Sequence, residues 1–274
     1  MIKCVIQCGD IHIRPYLRLD EYAEQLEKFV SMATEVAKGY EKDEVRIVLC
    51  GDIVHSKLTI SNELMVFCST FIRKLENIAR VLVFTGNHDL TMNNESRKDT
   101  LSGLFETASF QNSYLLDKLL SYESGCIVDD NITWALYSIH DGYRRPNIED
   151  MRKSNPPNTV VGLYHGSIVG AMLDNGTSMD SGLEPRVFTN CDIVMAGDIH
   201  KRQVIEKGNT RVVYCGSLIQ QTFGETVSQH GFVVWDMENL EYKFYDLESD
   251  YSMYMFEIND QNDFENSKEV LVNA

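Results

Sequence analysis

The chain has 274 residues, 43% of them hydrophobic and 24% charged, with a formal net charge of −16 at pH 7. That balance suits a folded domain with a sizeable core and excludes a disordered chain. No apolar run reaches the ~18 residues of a membrane span, and the acidity argues against a freestanding nucleic-acid binder, because a phosphate backbone calls for a basic surface.

Met1 to Cys8 reads as a first buried strand, interrupted too soon by Asp10 and His12 to be a signal peptide. Residues 20–38 place Tyr22, Leu26, Phe29, Val30, Ala33 and Val36 at helical spacing. Val45 to Cys50 is a second buried strand, residues 62–79 carry Leu64, Phe67, Phe71, Leu75 and Ile78 on one helical face, and Val81 to Thr85 is a third strand. Strands alternating with helices predict a parallel sheet. Residues 90–100 are polar and read as a loop beside the site. From about residue 124 short β-rich runs dominate, at 126–128, 133–139, 159–164, 192–195, 204–206, 211–214, 232–235 and 242–247, with turns at Asn131 and Gly208-Asn209. A second sheet packed on the first, with helices outside, is the economical α/β architecture. Tyr251–Ile258 reads as one more strand, and residues 259–268 as an acidic linker or tail. The seven cysteines, with no CxxC among them, read as reduced thiols of an intracellular protein.

Chemistry concentrates at the ends of the apolar runs. Five polar clusters stand there: Asp10-Ile11-His12, Gly51-Asp52-Ile53-Val54-His55, Gly86-Asn87-His88-Asp89, Tyr164-His165-Gly166 and Gly197-Asp198-Ile199-His200. A lone Asp-X-His is usually a turn or a cap, and Asn-His-Asp alone is a good turn. Clusters repeated after successive strands are different, because open α/β sheets gather their sites beyond the carboxyl ends of the strands. The donors are carboxylate, amide oxygen and imidazole, with no thiolate, which suits divalent metals in a hydrolytic centre rather than a structural zinc site. Two ions ~3.5–4 Å apart can clamp a phosphate and activate one water. Asp10 and His12, two apart at a strand end, are expected to share a face, and Asp52, with two oxygens, to bridge the ions. His140 reads as a loop residue at the edge of the site and His230 as a bystander. Lys57, Arg97, Lys98, Arg144, Arg145, Lys201 and Arg202 stand near the clusters in sequence and are candidate phosphate contacts.

The set of clusters resembles the calcineurin-like metallophosphoesterase superfamily. Gly51-Asp52-Ile53-Val54-His55-Ser56, Asp192 through Lys201, Tyr214-Cys215-Gly216-Ser217 and Phe223-Gly224-Glu225 resemble more narrowly its Mre11/SbcD branch of DNA-repair nucleases, phage versions included. The resemblance implies a four-layer α-β-β-α sandwich of two mixed sheets flanked by helices, with a catalytic domain over residues 1–250 and the start of a capping segment, linker or tail over 251–274. It implies two divalent ions, Mn²⁺ foremost with Mg²⁺ the other candidate. One is held by Asp10, His12, Asp52 and His200, the other by Asp52, Asn87, His165 and Asp198, where the branch commonly carries histidine in place of Asp198. His88 is implied as the general acid, Asp89 as the group that holds its ring, and His55 as a positioner of the scissile phosphate. DNA, a Rad50/SbcC-like ATPase and a second nuclease copy are the implied partners. A small-molecule phosphodiesterase or phosphomonoesterase is the competing enzyme reading, and a non-catalytic scaffold the competing class.

Overall fold

The structure, a computed structural model, describes residues 1–14, 16–56, 60–90, 98–208 and 210–273. In chain order its elements are β1 (Cys4–Cys8), α1 (Leu19–Ala37), β2 (Val45–Leu49), α2 (Asn62–Ile78), β3 (Arg80–Val83), α3 (Thr100–Thr107), β4 (Ser113–Leu115), α4 (Leu116–Leu119), β5 (Gly125–Asp129) and β6 (Ile132–Tyr137). There follow α5 (Ile148–Ser154), β7 (Thr159–His165), β8 (Ile193–Gly197), β9 (Gln203–Lys207), β10 (Thr210–Tyr214), β11 (Gly231–Asp236), β12 (Glu241–Asp246) and α6 (Gln261–Asn273). The strands form two six-stranded mixed sheets, ordered β12-β11-β1-β2-β3-β4 and β5-β6-β7-β8-β10-β9. In each sheet four neighbouring strands run parallel, β1 to β4 in the first and β6, β7, β8 and β10 in the second.

Strand periodicity sorts side chains into layers. Cys4, Ile6 and Cys8 of β1 face outward, where Leu26 and Phe29 of α1 and Phe71 and Leu75 of α2 cover them. Val5 faces the other way and packs with Val48 and Leu82 against Trp134, Leu163, Ile193 and Met195 of the second sheet. The outer face of that sheet, with Val160, Val194 and Val212, is covered by Ile148 of α5, Ile168 and Phe188. Burying each such side chain contributes about 1.5–3 kcal/mol relative to leaving it in water. One polar side chain crosses the inter-sheet core fully bonded: Gln7 Nε2 donates to the carbonyls of Ala196 (3.2 Å) and Val213 (2.9 Å), and its Oε1 accepts from Trp235 Nε1 (2.9 Å).

The architecture is the expected one, two mixed sheets flanked by helices, with differences in detail. Residues 231–246 do not extend the second sheet; β11 returns to pair antiparallel with β1 in the first. Tyr251–Ile258 is not a strand, and residues 261–273, read as part of a tail, form a helix. Short α3, β4, α4 and α5 are not distinguishable by periodicity in segments of three to eight residues. Asn209 of the second expected turn lies outside the described residues; Gly208 before it takes φ +63°. Among the described residues no helix is long and apolar enough to cross a membrane.

Candidate metal centre

The parallel strands of both sheets end at one rim, and the five clusters meet there. Past β1 and β2 the backbones stay in step. Asp10 N–H donates to Gly51 O (3.2 Å), His12 N–H to Asp52 O (2.9 Å) and His55 N–H to Ile13 O (3.0 Å). Asp10, His12, Asp52 and Asp198 all carry positive φ, of 50°, 52°, 52° and 97°. A non-glycine residue is disfavoured there by about 1–2 kcal/mol, and such strain concentrates at functional sites. The shared-face expectation for Asp10 and His12 therefore fails in its reason: both lie beyond the strand, and left-handed turns, not strand alternation, bring them together. Gly86 is required by close approach, since a Cβ there would collide with Asp52 Oδ1.

Asp52 sits at the middle. Its Oδ2 lies 3.5 Å from His12 Nε2 and its Oδ1 3.4 Å from His165 Nε2. On one side the Nε2 atoms of His12 and His200 face each other at 2.9 Å. On the other, Asn87 Oδ1 lies 3.2 Å from His165 Nε2, and Asp198 Oδ1 lies 4.0 Å from it. The ligand atoms of Asp10, His12 and His200 lie within 4.8 Å of one another, as do those of Asp10, Asp52 and His165. Asp198 is set back: its Oδ2 accepts from Ser167 Oγ (2.9 Å), while its backbone N–H donates to Asp10 Oδ1 (3.0 Å).

The electrostatics show a site that wants positive charge. Burial pushes the Asp10 carboxyl up to about 7, with the charges of Asp52 and Asp198 adding to the shift and His165 and His200 opposing it. Burial also works against the His200 cation, yet the Glu225 hydrogen bond and the charges of Asp10, Glu225 and Asp52 outweigh it and raise the imidazole to about 9. His165 is raised well above its ordinary value for the same reason, chiefly by Asp52 against burial. Asp52 is held well below the usual carboxylate range, because His165, His12 and the His88 N–H outweigh its burial. Buried carboxylates that hold nearby imidazoles protonated are asking for cations. The Nε2 atoms of His12 and His200, 2.9 Å apart, are close enough to offer lone pairs to one ion as neighbouring ligands. The donors present fit divalent ions of the Mn²⁺ and Mg²⁺ kind.

His88 borders this centre. Its backbone N–H donates to Asp52 Oδ1 (2.7 Å), and its ring Nδ1 donates to His55 O (2.8 Å). His55 stacks on His88, with centroids 5.2 Å apart and planes at 21°, and both rings stand edge-on to His12. Burial, then Arg14 and His88, lower His55 to about 4. Asp89 does not hold the His88 ring. Its fully buried carboxylate accepts the N–H groups of Asp52 (2.8 Å), Gly86 (3.0 Å) and Val54 (3.1 Å), so it binds two of the site loops together. The resemblance implied the ring contact; the turn after β3 instead spends the Asp89 carboxylate on backbone N–H groups.

His140 lies at the edge as expected, with Nε2 3.3 Å from Thr85 Oγ1. His230 is buried, its Nδ1 3.0 Å from Ser217 Oγ. Lys98 and Arg202 are engaged in ion pairs with Glu106 and Asp246, and Arg202 also stacks on Phe244. Among the described residues Lys201 Nζ reaches only Leu173 O, at 3.4 Å. Arg144 is exposed and Arg145 Nη2 lies 3.4 Å from Thr189 Oγ1. Lys57 and Arg97 lie outside the described residues, as does most of the 90–100 loop. Two neighbours of the centre were missed. Arg14, two residues past His12 in the same loop, reaches Gln221 O (3.2 Å), and Glu225 accepts from His200 Nδ1 (2.9 Å). Glu225 stood in a motif already noted, but nothing in its spacing gave it a task.

A model of the family described as calcineurin-like phosphoesterase matches residues 5–202, a stretch that includes every cluster of the rim. The chain belongs to the calcineurin-like phosphoesterases. Metallophosphoesterases bind two divalent metal ions and hydrolyse phosphate esters, which accounts for a donor set arranged on both sides of Asp52. The uncharacterized protein R555 of Acanthamoeba polyphaga mimivirus is 33% identical over 258 residues. That match covers 91% of this chain and 18% of R555, so the chain spans less than a fifth of that relative's length. A solved structure of a novel archaeal phosphodiesterase aligns over 89% of this chain and 99% of its own, with a TM-score of 0.46 and 12% identity.

Proposed function

We propose that this phosphoesterase is a DNA nuclease of the Mre11/SbcD kind, cleaving phosphodiester bonds with two Mn²⁺ or Mg²⁺ ions. One observation carries the two-ion reading: the oxygens of Asp52 face different imidazoles, His12 at 3.5 Å and His165 at 3.4 Å. One ion would be held by Asp10, His12, Asp52 and His200, the other by Asp52, Asn87, His165 and Asp198. When bound, the ions supply positive charge against the phosphoryl oxygens and lower the pKa of a water. The protein's own groups do the rest. His165 donates Nδ1–H to Cys50 O (2.7 Å), which leaves Nε2 as the lone-pair nitrogen facing the centre. His88, with Nδ1 spent on His55 O, keeps Nε2 to deliver a proton to the leaving alkoxide. His55, kept neutral by burial and by Arg14, buttresses His88 and helps seat the phosphate. Hard oxygen donors and the absence of thiolate favour Mn²⁺ or Mg²⁺ over Zn²⁺.

The choice of DNA is supported by the motifs around Asp52, Asp198, Ser217 and Glu225. The net charge of −16 means that most of the grip on a polyanion comes from elsewhere. A Rad50/SbcC-like ATPase and a second nuclease copy are the partners that would supply it, in a cytosolic setting in keeping with seven unpaired cysteines. The same acidity favours the competing reading, a small phosphodiester or phosphomonoester substrate. Supercoiled plasmid, linear duplex and single-stranded DNA, assayed with Mn²⁺ beside an aryl phosphodiester and an aryl phosphomonoester, separate the two. Nicking or resection of DNA supports the nuclease; turnover of small esters with DNA left intact sinks it.

A further inference from the structure

The two imidazoles that meet at 2.9 Å are not secured alike. His200 Nδ1 donates to Glu225 Oε1 at 2.9 Å, and the Glu225 side chain is 6% exposed. That carboxylate is wired at both oxygens. Oε1 also takes Thr222 Oγ1 (3.2 Å), and Oε2 takes the Gln221 N–H (2.8 Å) and Ser217 Oγ (3.3 Å). It has little freedom to rotate, so it holds the His200 ring as well as its tautomer. The same segment reaches the other imidazole through main chain: Gln221 Nε2 donates to Ile11 O (3.0 Å), and Tyr22 Oη, which bonds His12 O (2.6 Å), lies 3.3 Å from Gln221 Oε1. Among the described residues His12 has no acceptor of its own, its buried Nδ1 being unpartnered. His165, across the site, leans instead on the neutral carbonyl of Cys50.

We infer that Glu225 is the positioning residue of one half of the centre, its carboxylate orienting His200 so that the Ser217–Glu225 segment sets the affinity for the ion between His12 and His200 without setting that for the ion beside His165. A carboxylate behind a ligating imidazole fixes its orientation and raises its basicity, and losing it costs 10–100-fold in metal affinity. Sequence distance conceals the arrangement, because Glu225 follows its histidine by 25 residues and arrives on the return from β10 to β11.

The inference rests on the two-ion reading, and calorimetric Mn²⁺ titration of the full chain tests both separately. The unaltered protein should bind two ions; binding of none would remove the reading and the inference together. Glu225→Ala should weaken one of the two sites by ~10–100-fold and leave the other within about twofold. Glu225→Asp should recover part of the loss. Glu225→Gln, which keeps oxygen and volume but not charge, should fall between Asp and Ala and guards against a result caused by misfolding. Anomalous scattering from Mn²⁺-soaked Glu225→Gln crystals should show reduced occupancy between His12 and His200 alone. A residue that only tethers its loop would lower the melting temperature of the metal-free protein and leave the ratio of the two affinities untouched. That outcome, or equal weakening of both sites, overturns the inference while the two-ion reading stands.

Discussion

The half of the centre around His165 and the half around His200 use similar side chains and different supports. His165 ends a central parallel strand, its ring tied to Cys50 O, and Asn87 follows β3 in a turn that the buried Asp89 carboxylate pins at Gly86 N. That half is assembled when the sheets assemble. His200 stands past Gly197 with its ring on Glu225, a side chain of a connecting segment, and His12 is reached through Tyr22 and Gln221. Strand ends buy geometry that is hard to alter; side-chain clamps give geometry that a single substitution can tune. Asp52 belongs to both halves.

The harshest way to break the comparison is therefore at Asp52. Asp52→Ala should abolish tight binding of both ions and reduce turnover by about 10³-fold or more, the several kcal/mol that two ions lend a transition state. If either ion is kept at full affinity, Asp52 is not shared and the division into halves is misdrawn. His88→Ala should touch neither half: Mn²⁺ affinities stay as they are, while turnover of an alkyl diester drops by ~10²–10⁴-fold. An aryl ester, whose leaving group needs no proton, should lose far less. Equal losses on both esters would take the general-acid role away from His88.

Acidity sharpens the contrast next. Asp10 is raised to about 7 and His200 to about 9, so both carry protons that must leave before an ion can bind. Apparent Mn²⁺ affinity should climb as pH rises from 7 to 9, by up to ~10-fold per pH unit for each proton released. Calorimetry in buffers of different ionisation heat counts those protons, and a pH-independent affinity would contradict the assignment. The metal-free protein should behave oppositely. Asp10, Asp89 at about 8 and His200 all have folded-state values above their ordinary ones. Their contribution is fully present below the ordinary values of 3.8 for the carboxyls and 6.5 for the imidazole and is gone once pH has passed the raised ones, so denaturant midpoints with chelator should fall as pH rises from about 5 to 9. Added Mn²⁺ should reverse the trend. The smallest effect is expected at Asp89→Asn, where an amide replaces one of the two acceptor oxygens. A stability loss of about 1–3 kcal/mol is expected in the metal-free state. If chemical denaturation shows no loss, the carboxylate is not what ties the Asp52 and Gly86 turns together.

Much of this was legible in one dimension. The helical faces of α1 and α2 and the apolar strands reflect periodicities that any chain burying those residues must show; the limits of the two helices came within one position, while β1 starts at Cys4 rather than Met1. The clusters were legible for a topological reason, since parallel strands joined by helices must bring their carboxyl ends to one edge. What the residues of this chain determine on their own is thus the donor inventory, Asp10, His12, Asp52, Asn87, His165, Asp198 and His200, and the edge on which it collects. Tertiary structure decided the rest. Left-handed turns, rather than strand alternation, aim Asp10 and His12; Asp89 is spent on backbone N–H groups rather than on the His88 ring; β11 crosses back beside β1; and Glu225 reaches His200 from a distant connection. Each depends on where a backbone reverses or which side chain fills a buried space, and neither property has a period that can be read along the chain.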